Sequence, residues 1–143
     1  MGTGNKGLYS NTRGSKPTFR GTPLFSSTGH ISEKSISANR EYFYNKSATD
    51  ISHDLEKHGY ETTVRNSTHS TSRAKIIVVG NSDKHKNITQ VQVSPGSSRH
   101  GNVPYVKIST NNGGRYKVID GTKDQYKTDG KEKSTLFFRR NHT

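Results

Sequence analysis

Residues 88–119, ITQVQVSPGSSRHGNVPYVKISTNNGGRYKVI, carry the reading on which the fold turns. Within 88–93 apolar and polar residues alternate, the period of a strand with one buried face. Val91 and Val93 then point one way, and Gln90, Gln92 and Ser94 the other. Residues 105–109 alternate again: Val106 and Ile108 are core candidates, and Tyr105, Lys107 and Ser109 share the opposite face. Asn111-Asn112-Gly113-Gly114 is a strong hairpin signal, so residues 115–119 are expected to return as the partner strand. Between the first two strands lies a Gly/Ser loop, residues 94–102, that contains Pro95.

Working outward, residues 74–79 (AKIIVV) are the most apolar stretch and read as a central strand. Residues 60–64 read as a further strand, residues 66–73 and 81–87 as polar connections, and residues 134–138 as a last strand after the charged loop 120–133. Upstream of the strands the period becomes helical. Ser32 opens a helix through Ile36, Ala38, Tyr42 and Phe43. A second helix is capped by Thr49 or Ser47 and carries Ile51 and Leu55 on one face; Lys57 and His58 suit its negative end, and Gly59 closes it in a left-handed conformation. Residues 1–30 show no period and read as a flexible, basic lead-in, leaving one domain over 31–140. The expected class is α+β, with N-terminal helices packed on a four- to six-stranded antiparallel sheet.

Charge narrows the partners. Among 143 residues, 23 Lys and Arg face 11 Asp and Glu, a formal charge of +12. Such a field concentrates phosphate-bearing ligands. There is no basic amphipathic helix with a bulky apolar face and no apolar run of spanning length, so membrane insertion is not expected. The N-terminus has no apolar core of a signal peptide. Hydrophobic residues make up 25% of the chain, which predicts a small core. Mean hydropathy is −1.02. Cys is absent, which excludes disulfides, thiolate metal sites and a Cys nucleophile. Asn-X-Ser/Thr at Asn45, Asn66, Asn87 and Asn141 is expected by chance in so Asn-, Ser- and Thr-rich a chain.

If the strands pair, one sheet face collects Gln92, Tyr105, Lys107 and Ser109, with His100 in the joining loop. Those types suit metal-independent RNA cleavage. An imidazole can take the 2′-hydroxyl proton or give one to the leaving oxygen, and Lys or Arg can hold the charge that develops on phosphorus. The competing reading is an ordinary solvated sheet face. Gly96 and Gly101 with Arg99 and His100 suggest an anion nest, although a Gly/Ser loop is more often a connector. The segment 126–133 reads either as a basic clamp on phosphate or, slightly better, as a solvated turn. His53, Asp54 and His58 lack the four-residue spacing of helical metal ligands, so no metal and no cofactor are expected.

Residues 88–110, ITQVQVSPGSSRHGNVPYVKIST, and residues 117–140, KVIDGTKDQYKTDGKEKSTLFFRR, resemble the C-terminal nuclease toxin modules of bacterial polymorphic toxins, of LXG, contact-dependent inhibition and wall-associated type. The resemblance covers about residues 50–140. It implies the fold shared by barnase, EndoU, the tRNase colicins and RelE: N-terminal helices on a four- or five-stranded antiparallel sheet. It also implies a metal-independent endoribonuclease, delivered from a producer cell, that cuts tRNA or other RNA in the target-cell cytoplasm. A cognate, acidic immunity protein would hold it inactive, and a monomer is expected. By residue type the catalytic candidates are His100, Tyr105, Lys107, Ser109 and Thr110, and the phosphate-binding candidates Gln92, Arg99, Arg115 and Lys127. EndoU-type sites use two His; His30, His53 and His58 are the remaining donors, none well placed. The alternatives are a non-catalytic RNA- or DNA-binding module, in which Tyr105 and Tyr116 stack on bases, and a DNase toxin.

Overall fold

The computed structural model describes residues 21–68, 73–96, 102–128, 130 and 132–140. Helix α1 (Glu33–Ala38) begins at a capping box: the Ser32 side chain accepts from the Ser35 amide, and the Ser35 side chain accepts from the Ser32 amide. The single long helix expected through Phe43 breaks at Asn39, whose side-chain amide donates to Ser35 O and Thr22 O. A 3₁₀ turn (Arg40–Phe43) follows. Helix α2 (Ala48–Lys57) is capped by Ser47, with Asp50 reciprocating, and Gly59 leaves it at φ +92°.

Six strands follow in sequence order: β1 (Thr62–Asn66), β2 (Lys75–Val79), β3 (Ile88–Ser94), β4 (Tyr105–Thr110), β5 (Arg115–Ile119) and β6 (Thr135–Phe137). The first four pairings are antiparallel, as a chain of short connections requires. The last is not: β6 runs parallel to β5, so residues 120–134 form a crossover instead of a turn. The sheet is therefore mixed at one edge, where wholly antiparallel pairing was expected.

Registry sorts the side chains. Ile77, Val91, Ile108 and Tyr116 align across β2–β5, and Val93, Val106, Val118 and Phe137 across β3–β6. These rows meet Ile36, Phe43, Ala48, Ile51 and Leu55 from the helical segment to make the main core. The opposite face holds a smaller cluster, Val103, Tyr105, Ile119 and Tyr126, because the crossover folds back over it.

Residues 21–30 belong to this body, not to the flexible lead-in expected to end at 30. Leu24 is buried in the main core, and the Tyr60 hydroxyl donates to Gly29 O at 2.6 Å. The buried Asn87 clamps the same segment, accepting from Ile31 N at 3.0 Å and donating to Ile31 O at 2.8 Å. Single apolar residues in a polar stretch show no period, so this packing leaves no mark in the sequence. Asn87 is thus a structural residue, not an exposed glycosylation acceptor. Asn87→Ala strands two buried backbone groups of Ile31, and a loss of about 3 kcal/mol is expected. Thermal unfolding followed by circular dichroism should show a midpoint lower by roughly 10 °C; an unchanged midpoint would contradict the clamp.

Candidate functional site

Away from the helices, one row of side chains crosses the whole sheet: Arg65, Ile76, Gln92, Lys107, Lys117 and Leu136. A second row sets Gln90, Ser109 and Arg115 side by side. The expected gathering of Gln92, Tyr105, Lys107 and Ser109 on one face follows from this register. Arg115 joins them, exposed, at the start of β5. Thr110 does not. Strand alternation turns it to the other face, where it is buried; its hydroxyl lies 2.6 Å from Asn112 Oδ1 and 2.9 Å from Gly114 O and braces the hairpin. Lys127 is exposed on the crossover. His100 and Arg99 lie outside the described residues, as does Gly101 of the expected anion nest. Gly96, the other glycine of that nest, donates its amide to Ser94 Oγ at 3.2 Å. It sits at φ +116°, and a Cβ there would lie 2.7 Å from the Asn102 backbone, so glycine serves a close chain approach.

Lys107 and Lys117 are direct cross-strand partners, an arrangement that like charges disfavour. The structure resolves the conflict asymmetrically. Lys117 is buried, and its Nζ donates to Glu132 Oε1 at 2.9 Å and to Tyr126 Oη at 2.8 Å. Tyr126 in turn donates to Glu132 Oε1 at 2.9 Å, closing a triangle. The Lys117 ammonium also stands 4.7 Å from the Tyr105 ring centroid. Burial alone would raise the Glu132 carboxyl; the hydrogen bonds from Lys117 and Tyr126, the Lys117 charge and the Ser134 amide outweigh it and hold the group below its ordinary value.

Lys107 has no such relief. It is half-buried and makes no hydrogen bond or ion pair with another described residue. Burial first, then the charges of Lys117 and Arg115, hold its pKa below the ordinary lysine value, against a weaker pull from Glu132. A desolvated cation whose donors are unused among the described residues, beside Gln92 and Ser109, has the chemistry to seat an anion. Tyr105 is buried and accepts from Gln92 Nε2 at 3.4 Å, so it walls the site and does not stand free to stack on a base.

The sequence reading missed the Lys117–Tyr126–Glu132 triangle. Parity within β5 puts Lys117 on the face of Lys107, and a lysine in mid-sheet opposite another lysine calls for a carboxylate. Glu132, in the segment read as a clamp or turn, supplies it. The terminal cations are also engaged: Arg139 pairs with Asp120, and Arg140 Nε lies 3.2 Å from Glu41 Oε2. Both guanidinium groups are therefore partly neutralised by carboxylates. His58 hydrogen-bonds Asp54 O and stacks on Phe25 at 4.1 Å; His53 is exposed on α2. Among the described residues no helix is long and apolar enough to cross a membrane.

No family model matches the chain, and comparison with curated proteins and with solved structures gives no match. The functional argument therefore rests on the site itself.

Proposed function

We propose that the face centred on Lys107 binds the phosphate backbone of RNA and that the chain cleaves that RNA without a metal, as a toxin-type endoribonuclease. The observation that carries the reading is the desolvated ammonium of Lys107, without a hydrogen-bond or ion-pair partner among the described residues, beside Gln92, Ser109 and Arg115 on a chain of formal charge +12. In this reading Lys107 stabilises the charge that develops on phosphorus, Arg115 and Gln92 hold flanking phosphate oxygens, and His100 transfers the proton. The substrate class is RNA because attack by the ribose 2′-hydroxyl needs no added nucleophile. A natural antagonist is an acidic immunity protein that covers the same face, and the site of action is the cytoplasm of a target bacterium.

A second reading, binding without cleavage, is favoured by one observation: the described histidines His30, His53, His58 and His85 all lie outside the strands that form this face. Incubating the purified chain with total RNA and with duplex DNA, each in EDTA, separates the two. Fragments of RNA ending in a 2′,3′-cyclic phosphate, with DNA intact, are expected. RNA that stays whole after prolonged incubation at high protein concentration leaves only binding.

A further inference from the structure

On the helix side, at the end of the sheet where β3 leaves and β4 enters, the fold forms a half-open cavity of about 290 Å³. Its floor is apolar: Phe43, Val106 and Val118 come from the main core, and Pro104 adds to the lining. Its rim is basic. Lys46, Arg73 and Lys75 line it, and none of the three is paired with a carboxylate among the described residues. Lys75 donates to the neutral Asn66 side chain, and the Lys46 ammonium lies 4.6 Å from the Tyr42 ring centroid, so neither charge is neutralised by a described carboxylate. The one lining carboxylate, Asp120, is already held by Arg139.

Tyr44 also lines the cavity. The Arg139 guanidinium lies 4.3 Å from its ring centroid and fixes the ring, yet its hydroxyl is buried with no hydrogen-bond partner among the described residues. Buried hydroxyls are almost always bonded, and a phenol can both donate and accept. An apolar floor, a hydroxyl and a rim of three cations that are unpaired among the described residues match a planar heterocycle that carries an anionic group.

We propose that this cavity is a nucleotide subsite: it takes one unpaired base against Phe43 and Val106 with its polar edge on Tyr44, while Lys46, Arg73 and Lys75 hold the adjoining phosphate. The inference rests on the reading that the Lys107 face binds RNA. Tyr105 links the two places, since it lines the cavity and precedes Lys107 by two residues, roughly 7 Å along the strand. The Lys107 row and the apolar lining of the cavity lie on opposite faces of the sheet, so an RNA strand bound at Lys107 must turn round this end of the sheet to place one base in the cavity, which gives a means of preferring that base.

The test is calorimetric titration of the full chain with AMP, CMP, GMP and UMP, set against ribose 5-phosphate and inorganic phosphate. One nucleotide is expected to bind at least tenfold more tightly than either sugar phosphate or phosphate. The double variant Lys46→Ala/Arg73→Ala should weaken it at least tenfold, and Lys84→Ala, a distant exposed cation, should not. Tyr44→Phe keeps the ring and its contact with Arg139, and should reduce the preference among bases. Nucleotides that bind no better than phosphate, or that lose equal affinity in Lys84→Ala, overturn the subsite. If that happens while the wild type still binds and cuts RNA, the subsite alone has failed. If nucleotides bind as described and RNA is neither bound nor cut, the subsite stands and the RNA reading falls.

Discussion

Lys107→Ala is expected to lower the rate of RNA cleavage by about 10²- to 10³-fold, the usual consequence of removing one preorganised donor from a charge-stabilising site. The same substitution should leave the fold intact and the melting temperature equal or higher. Lys107 makes no hydrogen bond with a described residue, and its charge is repelled by Lys117 and Arg115. A lysine whose folded pKa is depressed gains stability only above its ordinary value of 10.5, and loses that gain as the pH falls through its own lower value. At neutral pH the wild type therefore carries the penalty, which alanine removes. The rate advantage of wild type over the variant should shrink as the pH rises toward the lysine range, earlier than an ordinary ammonium would dictate. Gel assays on a defined RNA across that range, with circular dichroism melts of both proteins, measure each part. A variant that cuts as fast as wild type would remove Lys107 from the chemistry.

Local signals are the part of this molecule that is legible in its sequence. Alternation in residues 88–93 and 105–109 and the Asn-Asn-Gly-Gly turn are local signals, and they place Gln92, Tyr105, Lys107 and Ser109 on one face with the register observed. Gly113 takes φ +93°, as the turn demands. The same parity places Thr110 on the other side, so the strand rule itself separates it from the candidate set. What the sequence conceals is non-local. No period announces that residues 120–134 cross over to make β6 parallel, that Asn39 ends α1 by bonding Thr22 O, or that Leu24 enters the core. The partition of two lysines into one paired and one unpaired depends on Glu132, fifteen residues from Lys117 and brought back by that crossover.

Glu132→Ala is expected to be the most destabilising single change near the site. It leaves the Lys117 ammonium, whose side chain is 7% exposed, with only the Tyr126 hydroxyl as a described hydrogen-bond partner. Breaking a buried pair by removing one member costs about 3–5 kcal/mol, because the remaining charge stays desolvated. A fall in melting temperature of order 10 °C or more should follow. The carboxyl is held below its ordinary value of 4.5, so its contribution is present above that value and is lost as the pH drops through the lowered one. The gap between wild type and variant should therefore close in acid. Replacing both members, as in Lys117→Met/Glu132→Leu, removes the orphaned charge and should recover most of the stability. It also takes away both the Lys117 cation that repels Lys107 and the Glu132 charge that attracts it; the first effect is the larger, so Lys107 should titrate closer to an ordinary lysine and the pH profile of cleavage should move upward with it. A double variant that restores the melting temperature but leaves that profile unmoved would show that Lys117 serves the fold alone; a shifted profile would make it a positioning residue for the phosphate seat beside it.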